Sequence, residues 1–140
     1  MENVEEPYAA YNASKDFTTL QCWQKAREVR KFFLKEILQL IPSEERFHLK
    51  MQIKKALVSI TANIAEGYGR FHYKEAVQFY RISRGSLFEL KDHLISGSDF
   101  GYFSDNLTEK GVELIEIAKK SLNGYINYTL NKLKQNMQNK

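Results

Sequence analysis

The sequence predicts an all-α chain folded as an up-down-up-down antiparallel four-helix bundle. Pro7 and Pro42 are its only prolines, so three long stretches run without a helix breaker. Apolar residues recur every three or four positions through those stretches rather than alternating, which is the helical period. The connection signals, around Pro42, from Gly67 to Arg70 and from Gly97 to Gly101, are only a few residues long, and short connections join antiparallel neighbours.

The first helix is expected to start near Thr18, where Thr18-x-x-Gln21 has the form of a capping box, and to stop before Pro42. Its inward row is Trp23, Ala26, Val29, Phe33, Ile37 and Leu40. The second follows Ser43 as cap, with Glu44 and Glu45 at the positive end of the helix dipole, and ends at Gly67 or Gly69. Phe47 and His48 are expected to disturb its first turn. Its core row is Leu49, Ile53, Ala56, Ile60 and Ile64. The third, from about Tyr73 to Ser98, buries Ala76, Phe79, Ser83, Leu87, Leu90 and Leu94. The fourth begins after Ser104 or Asp105 and turns Leu107, Gly111, Leu114, Ala118, Leu122 and Tyr125 inward. The bundle is thus expected over residues 17–134, with aperiodic, mobile tails over 1–16 and 135–140.

Two helices have more apolar surface than one core requires. At 100° per residue, Met51, Val58, Ala62 and Ala65 lie opposite the core row of the second helix, and Val77, Phe88 and Ile95, with Arg84 among them, lie off the core row of the third. A helix that is apolar on two sides is expected to be buried on two sides, which predicts self-association.

The formal net charge is +4, but Glu2, Glu5 and Glu6 crowd the start, leaving 21 basic residues against 14 acidic in the rest. Such a surplus favours polyanionic partners without specifying their sequence. Between Lys25 and Lys55 nine basic residues face four acidic ones. Lys31 and Lys35 on the first helix and Lys54 and Lys55 on the second point outward and form the main candidate patch for nucleic acid. A second candidate group is Arg70, His72, Tyr73 and Lys74, which offers cations for phosphates and aromatic faces for bases.

Enzyme readings fare poorly. Glu45-x-x-His48 has di-iron spacing, but no second copy and no further core carboxylates accompany it. His48, His72 and His93 are scattered without a zinc pattern. Arg84 and His93 are too far apart for the arginine–histidine motif of helical toxin ribonucleases. Cys22 and Ser59 have no adjacent base, and the glycines punctuate helices without forming a phosphate loop. No catalytic residue, metal ligand or cofactor is expected. The lone Cys22 allows no intramolecular disulfide, no stretch is apolar enough to span a bilayer, and the N-terminus lacks a leader pattern. The cytoplasm is the expected compartment.

The stretch from Gln52 to Arg70, QIKKALVSITANIAEGYGR, ends a helix with an amide, a carboxylate and two glycines. Asn63 is expected to clamp a neighbouring helix or carbonyl. Glu66 is expected to hold Arg70, Arg84 or an amide of the third helix. Gly67 and Gly69 permit positive φ or close passage of the chain. With Phe17-Thr-Thr-Leu20, Trp23-Gln-Lys-Ala26 and Gly85-Ser-Leu-Phe-Glu89-Leu90, this stretch resembles the bacterial four-helix-bundle proteins encoded inside 23S ribosomal RNA genes, the intervening-sequence proteins. The resemblance runs over roughly residues 17–133. It makes Trp23, Asn63, Glu66, Gly67, Gly69 and Arg70 the structural signature, and it implies a homopentameric barrel, a suspected link to RNA or DNA and no established reaction. Relatives serving as accessory subunits in diversity-generating retroelements imply an alternative, a scaffold for a reverse transcriptase. A selfish insertion product without a host role is a third reading. In the family pattern a proline is common where Thr61 stands, and arginines are frequent where Lys54 and Lys55 stand, so a kink and bidentate pairing are both in question here.

Overall fold

The computed structural model describes residues 16–139. Among them are four α-helices and no strand, which accords with a four-helix bundle: α1 Gln21–Phe32, α2 Leu49–Tyr68, α3 Tyr73–Asp99 and α4 Asp105–Gln138. Each helix packs on two others, α1 on α2 and α4, and α3 on α2 and α4. The core between them holds Val29, Phe33, Ile53, Ile60, Ile64, Leu87, Leu90, Leu94, Ile115 and Leu122, all fully withdrawn from solvent. Burying each such side chain contributes roughly 1.5 to 3 kcal/mol. Hydrogen bonds join α3 to its neighbours: Ser83 Oγ donates to the Ile60 carbonyl at 2.6 Å, the hydroxyls of Ser59 and Ser86 meet at 2.7 Å, and Arg84 donates to Asn123 Oδ1 at 2.9 Å.

The start of the bundle is built differently from the expected capping box. Asp16 is the cap: its carboxylate accepts from the Thr18 amide at 2.9 Å and opens a 3-10 turn, Phe17–Thr19. The N-cap of α1 is Leu20, which makes no side-chain capping bond. After Phe32 the helix widens into one π turn, Phe33–Ile37, and tightens into a 3-10 turn, Leu38–Leu40. A uniform 100° wheel therefore fails there: Leu40, expected inward, is 45% exposed, while Ile41 is buried. Ser43 likewise caps nothing. It starts a separate 3-10 turn, Ser43–Glu45, and α2 begins only after His48, whose irregular backbone agrees with the disturbance expected at Phe47 and His48.

In α3 the ring of Tyr80, 2% exposed, takes the core position expected for Phe79, which is half-buried. Val77, expected on an outward face, also lies in the core at 2% exposure. A helix flanked by two others buries an arc wider than one stripe, which accounts for both. Positive φ occurs at Gly101 and not at Gly67 or Gly69. Gly101 follows the end of α3, with Tyr102 N donating to the Gly97 carbonyl at 2.8 Å and Gly101 N to the Ser98 carbonyl at 2.9 Å. Gly67 instead permits close approach, because a Cβ there would stand 2.6 Å from the Tyr80 ring and 2.9 Å from the Ala76 carbonyl. The Ser104 cap of α4 forms as expected, accepting from the Leu107 amide at 3.1 Å. That helix runs to Gln138, past residue 134. The tail expected over 1–16 lies outside the described residues except for Asp16.

Cys22 is buried where α1 faces α4, and burial pushes its thiol from 9.0 up to about 11. The fold thus favours the neutral thiol. Its contribution is complete below pH 9 and is lost as pH rises through about 11. We expect unfolding in urea to become easier across that window, by about 3 kcal/mol from this group. A Cys22→Ala variant should show a shallower decline, and an equal decline would refute the assignment.

Candidate nucleic-acid interface

The cations singled out from sequence fall into two groups. Lys31 and Lys35 are exposed on α1 and the turn that prolongs it, and Lys54 and Lys55 are exposed on α2, away from the buried Ile53, Ala56 and Leu57. Lys31 pairs with Glu28 at 3.3 Å in an exposed i,i+3 contact. Lys35, Lys54 and Lys55 have no carboxylate partner among the described residues, so their ammonium groups face solvent. Arg30 ties α1 to α2 on this side by donating to Thr61 Oγ1 at 2.5 Å. Burial, and then the neighbouring Arg27, hold the Arg30 guanidinium below its usual range. Thr61 thus serves as an acceptor between helices.

Arg70 and Lys74 form the second group, beyond the end of α2, whose last residue Tyr68 is roughly 21 Å from Lys54 at 1.5 Å per residue. Arg70 is not free to meet a phosphate. Its guanidinium donates to Glu66 at 2.7 Å and to Glu75 at 3.4 Å, and it lies over the Phe79 ring at 4.8 Å. These contacts latch the end of α2 to the start of α3, as expected for Glu66. Lys74 is exposed and has no carboxylate partner among the described residues. Asn63 works within its own helix: its amide donates to the Ser59 carbonyl at 3.0 Å and to Ser59 Oγ at 2.9 Å, and Ser59 carries the contact on to Ser86 of α3. Trp23 is half-buried, edge-on to Phe17 at 5.5 Å, with Arg27 over its ring at 5.7 Å.

Most of the outward apolar set does face solvent. Met51 is 39% exposed, Val58 62%, Phe88 51% and Ile95 45%. Ala62 is exposed and Ala65 half-buried. Val77 belongs to the core, and Arg84 is held by Asn123. The ammonium of Lys119 lies 3.7 Å from the centre of the Phe88 ring.

The second half of α4 is a basic surface that reasoning from total charge missed. Beyond Glu116 the chain has no acidic residue and five lysines, a signal readable in the sequence by counting charge along one helix. Glu116 itself is held by Lys91 at 3.0 Å and Lys119 at 3.1 Å, which keep its carboxyl below the usual range. Lys120 has no carboxylate partner among the described residues.

Among the described residues, no cluster of histidine, cysteine and carboxylate side chains could hold a metal ion, and no helix is long and apolar enough to cross a membrane. His93 meets Glu89 at 3.0 Å on the same helix. No curated protein matches the chain. A family model described as 23S rRNA-intervening sequence protein matches residues 18–124, from the turn ahead of α1 to Gly124 within α4. The chain therefore belongs to the 23S rRNA-intervening sequence protein family.

Proposed function

We propose that this protein is a non-enzymatic, cytoplasmic up-down-up-down bundle, encoded by an intervening sequence or similar element, that assembles as a homopentamer and presents a basic surface to RNA or DNA. The observation that carries the nucleic-acid reading is the exposure of Lys35, Lys54, Lys55 and Lys74 without carboxylate partners among the described residues. Cations of this kind meet phosphates without reading sequence. Assembly is supported by the outward Met51, Val58, Phe88 and Ile95, whose burial needs another subunit. The topology is supported by contacts such as Arg84 with Asn123 and Lys91 with Glu116, whose numbers rise on α3 as they fall on α4. A ring would repeat each lysine patch, so weak contacts add on one particle.

The test is fluorescence anisotropy of labelled RNA and DNA over a salt series, with light scattering on the same sample. Submicromolar binding by a five-subunit particle that weakens steeply with salt is the expected result. Absence of binding at low salt would overturn the nucleic-acid reading and leave an assembly whose partner is a protein, such as a reverse transcriptase.

A further inference from the structure

An open groove of about 980 Å³ runs between the first turns of α1 and the second half of α4. Its lining includes Cys22, Lys25, Tyr68, Lys120, Tyr125 and Tyr128, and no carboxylate among the described residues. Tyr125 and Tyr128 are stacked, with ring centroids 5.7 Å apart and planes 21° apart. Tyr125 is anchored from beneath, edge-on to the buried Tyr80 at 5.3 Å, and burial pushes its hydroxyl up to about 12. Tyr128 is 54% exposed, and the Lys132 ammonium lies 5.5 Å from its ring centre. Lys25 and Lys120 have no carboxylate partner among the described residues.

We propose that this groove is a base-stacking subsite for single-stranded nucleic acid, an inference that rests on the nucleic-acid reading above. An unpaired base lies against the Tyr128 ring, displacing Lys132 toward the backbone, while Lys25 and Lys120 meet the flanking phosphates. Three features favour this occupant. An aromatic face held by a second, anchored ring is a rigid platform, and stacking on such faces accepts any base. Lysines at a groove without acid focus positive potential where a phosphate would sit. The rest of α4 beyond the groove also lacks acidic residues, so a strand leaving it would meet no repulsion from that helix. A duplex, with its bases already stacked inside, would use the lysines but not the ring.

The test compares a short labelled single-stranded uridine oligomer with a duplex RNA of the same length. Tyr128→Ala should weaken single-strand binding about tenfold and leave duplex binding unchanged. Tyr128→Phe should restore single-strand binding, since the ring is kept. Lys120→Ala should weaken binding of both probes and reduce the salt slope. If the wild type binds and Tyr128→Ala binds the single strand equally well, the groove assignment falls while the broader reading stands. If the wild type binds neither probe, both fall. If Tyr128→Ala changes the number of subunits by light scattering, the groove is a contact between copies and the proposal is overturned.

Discussion

Tyr80→Ala is expected to lower stability by about 3 to 5 kcal/mol, the range for truncating a buried aromatic ring. For a chain of this size that corresponds to a fall in melting temperature of roughly 10 °C or more. The ring is 2% exposed and is gripped from two sides. On one side it meets Tyr125 at 5.3 Å, and on the other it fills the space left by the missing side chain of Gly67. Truncation would open a cavity where α2, α3 and α4 meet, and the Gly67 backbone has no side chain with which to fill it. Tyr80→Phe keeps the ring and should cost no more than about 1 kcal/mol. Thermal unfolding at one fixed protein concentration checks both, since association shifts the midpoint. Equal losses for the two variants would show that the hydroxyl, and not the ring, holds the junction.

Lys54→Glu with Lys55→Glu is expected to weaken nucleic-acid binding more than tenfold at low salt. Each reversal would replace an attraction to phosphate with a repulsion, and the proposed assembly would repeat the change in every subunit. For the wild type, raising salt from about 50 to 200 mM should weaken binding about a thousandfold if some six phosphates are neutralised. The double variant should show a smaller slope. Both lysines are exposed and lie away from the core row of α2, so its melting curve and particle mass should match the wild type. Unchanged binding by an intact assembly would remove this face of α1 and α2 from the interface.

The helices themselves were legible because their core rows are long and regular: Ile53, Ala56, Ile60 and Ile64 in α2, and Ser83, Leu87, Leu90 and Leu94 in α3, hold to three- and four-residue steps and are buried. Helix starts were less legible. A threonine and a serine stood in capping positions at Thr18 and Ser43, but Asp16 took the first role through a local contact with the Thr18 amide, and Tyr102 of the α3–α4 connection, donating to Glu45 at 2.8 Å, is bound to the turn that replaced the second. The fate of Arg70 was half legible. Glu66 lies only four residues earlier, in the last turn of α2, whereas Glu75 comes into reach only once the chain has reversed between α2 and α3. The basic half of α4 escaped notice because its surplus is diluted by acidic residues elsewhere in the chain.

The wide turn in the helix that α1 opens explains a spacing that otherwise looks misplaced. Val29, Phe33, Ile37 and Ile41 are all buried, each four residues from the last. In an α-helix a run of fours advances about 40° per step, so its last member would have drifted more than a quarter turn from its first. A π turn holds more residues per revolution and takes back part of that advance between Phe33 and Ile37, which keeps those two side chains near one seam, while Ile41 lies in extended backbone beyond the 3-10 turn. The turn thus holds one residue more than ordinary winding would, and removing a single residue between Phe33 and Ile37 would restore that winding with Ile37 still near the face of Phe33. The bundle is therefore expected to absorb a one-residue deletion at that turn better than one in the regular stretches of its helices, where each deletion rotates everything downstream by about 100°.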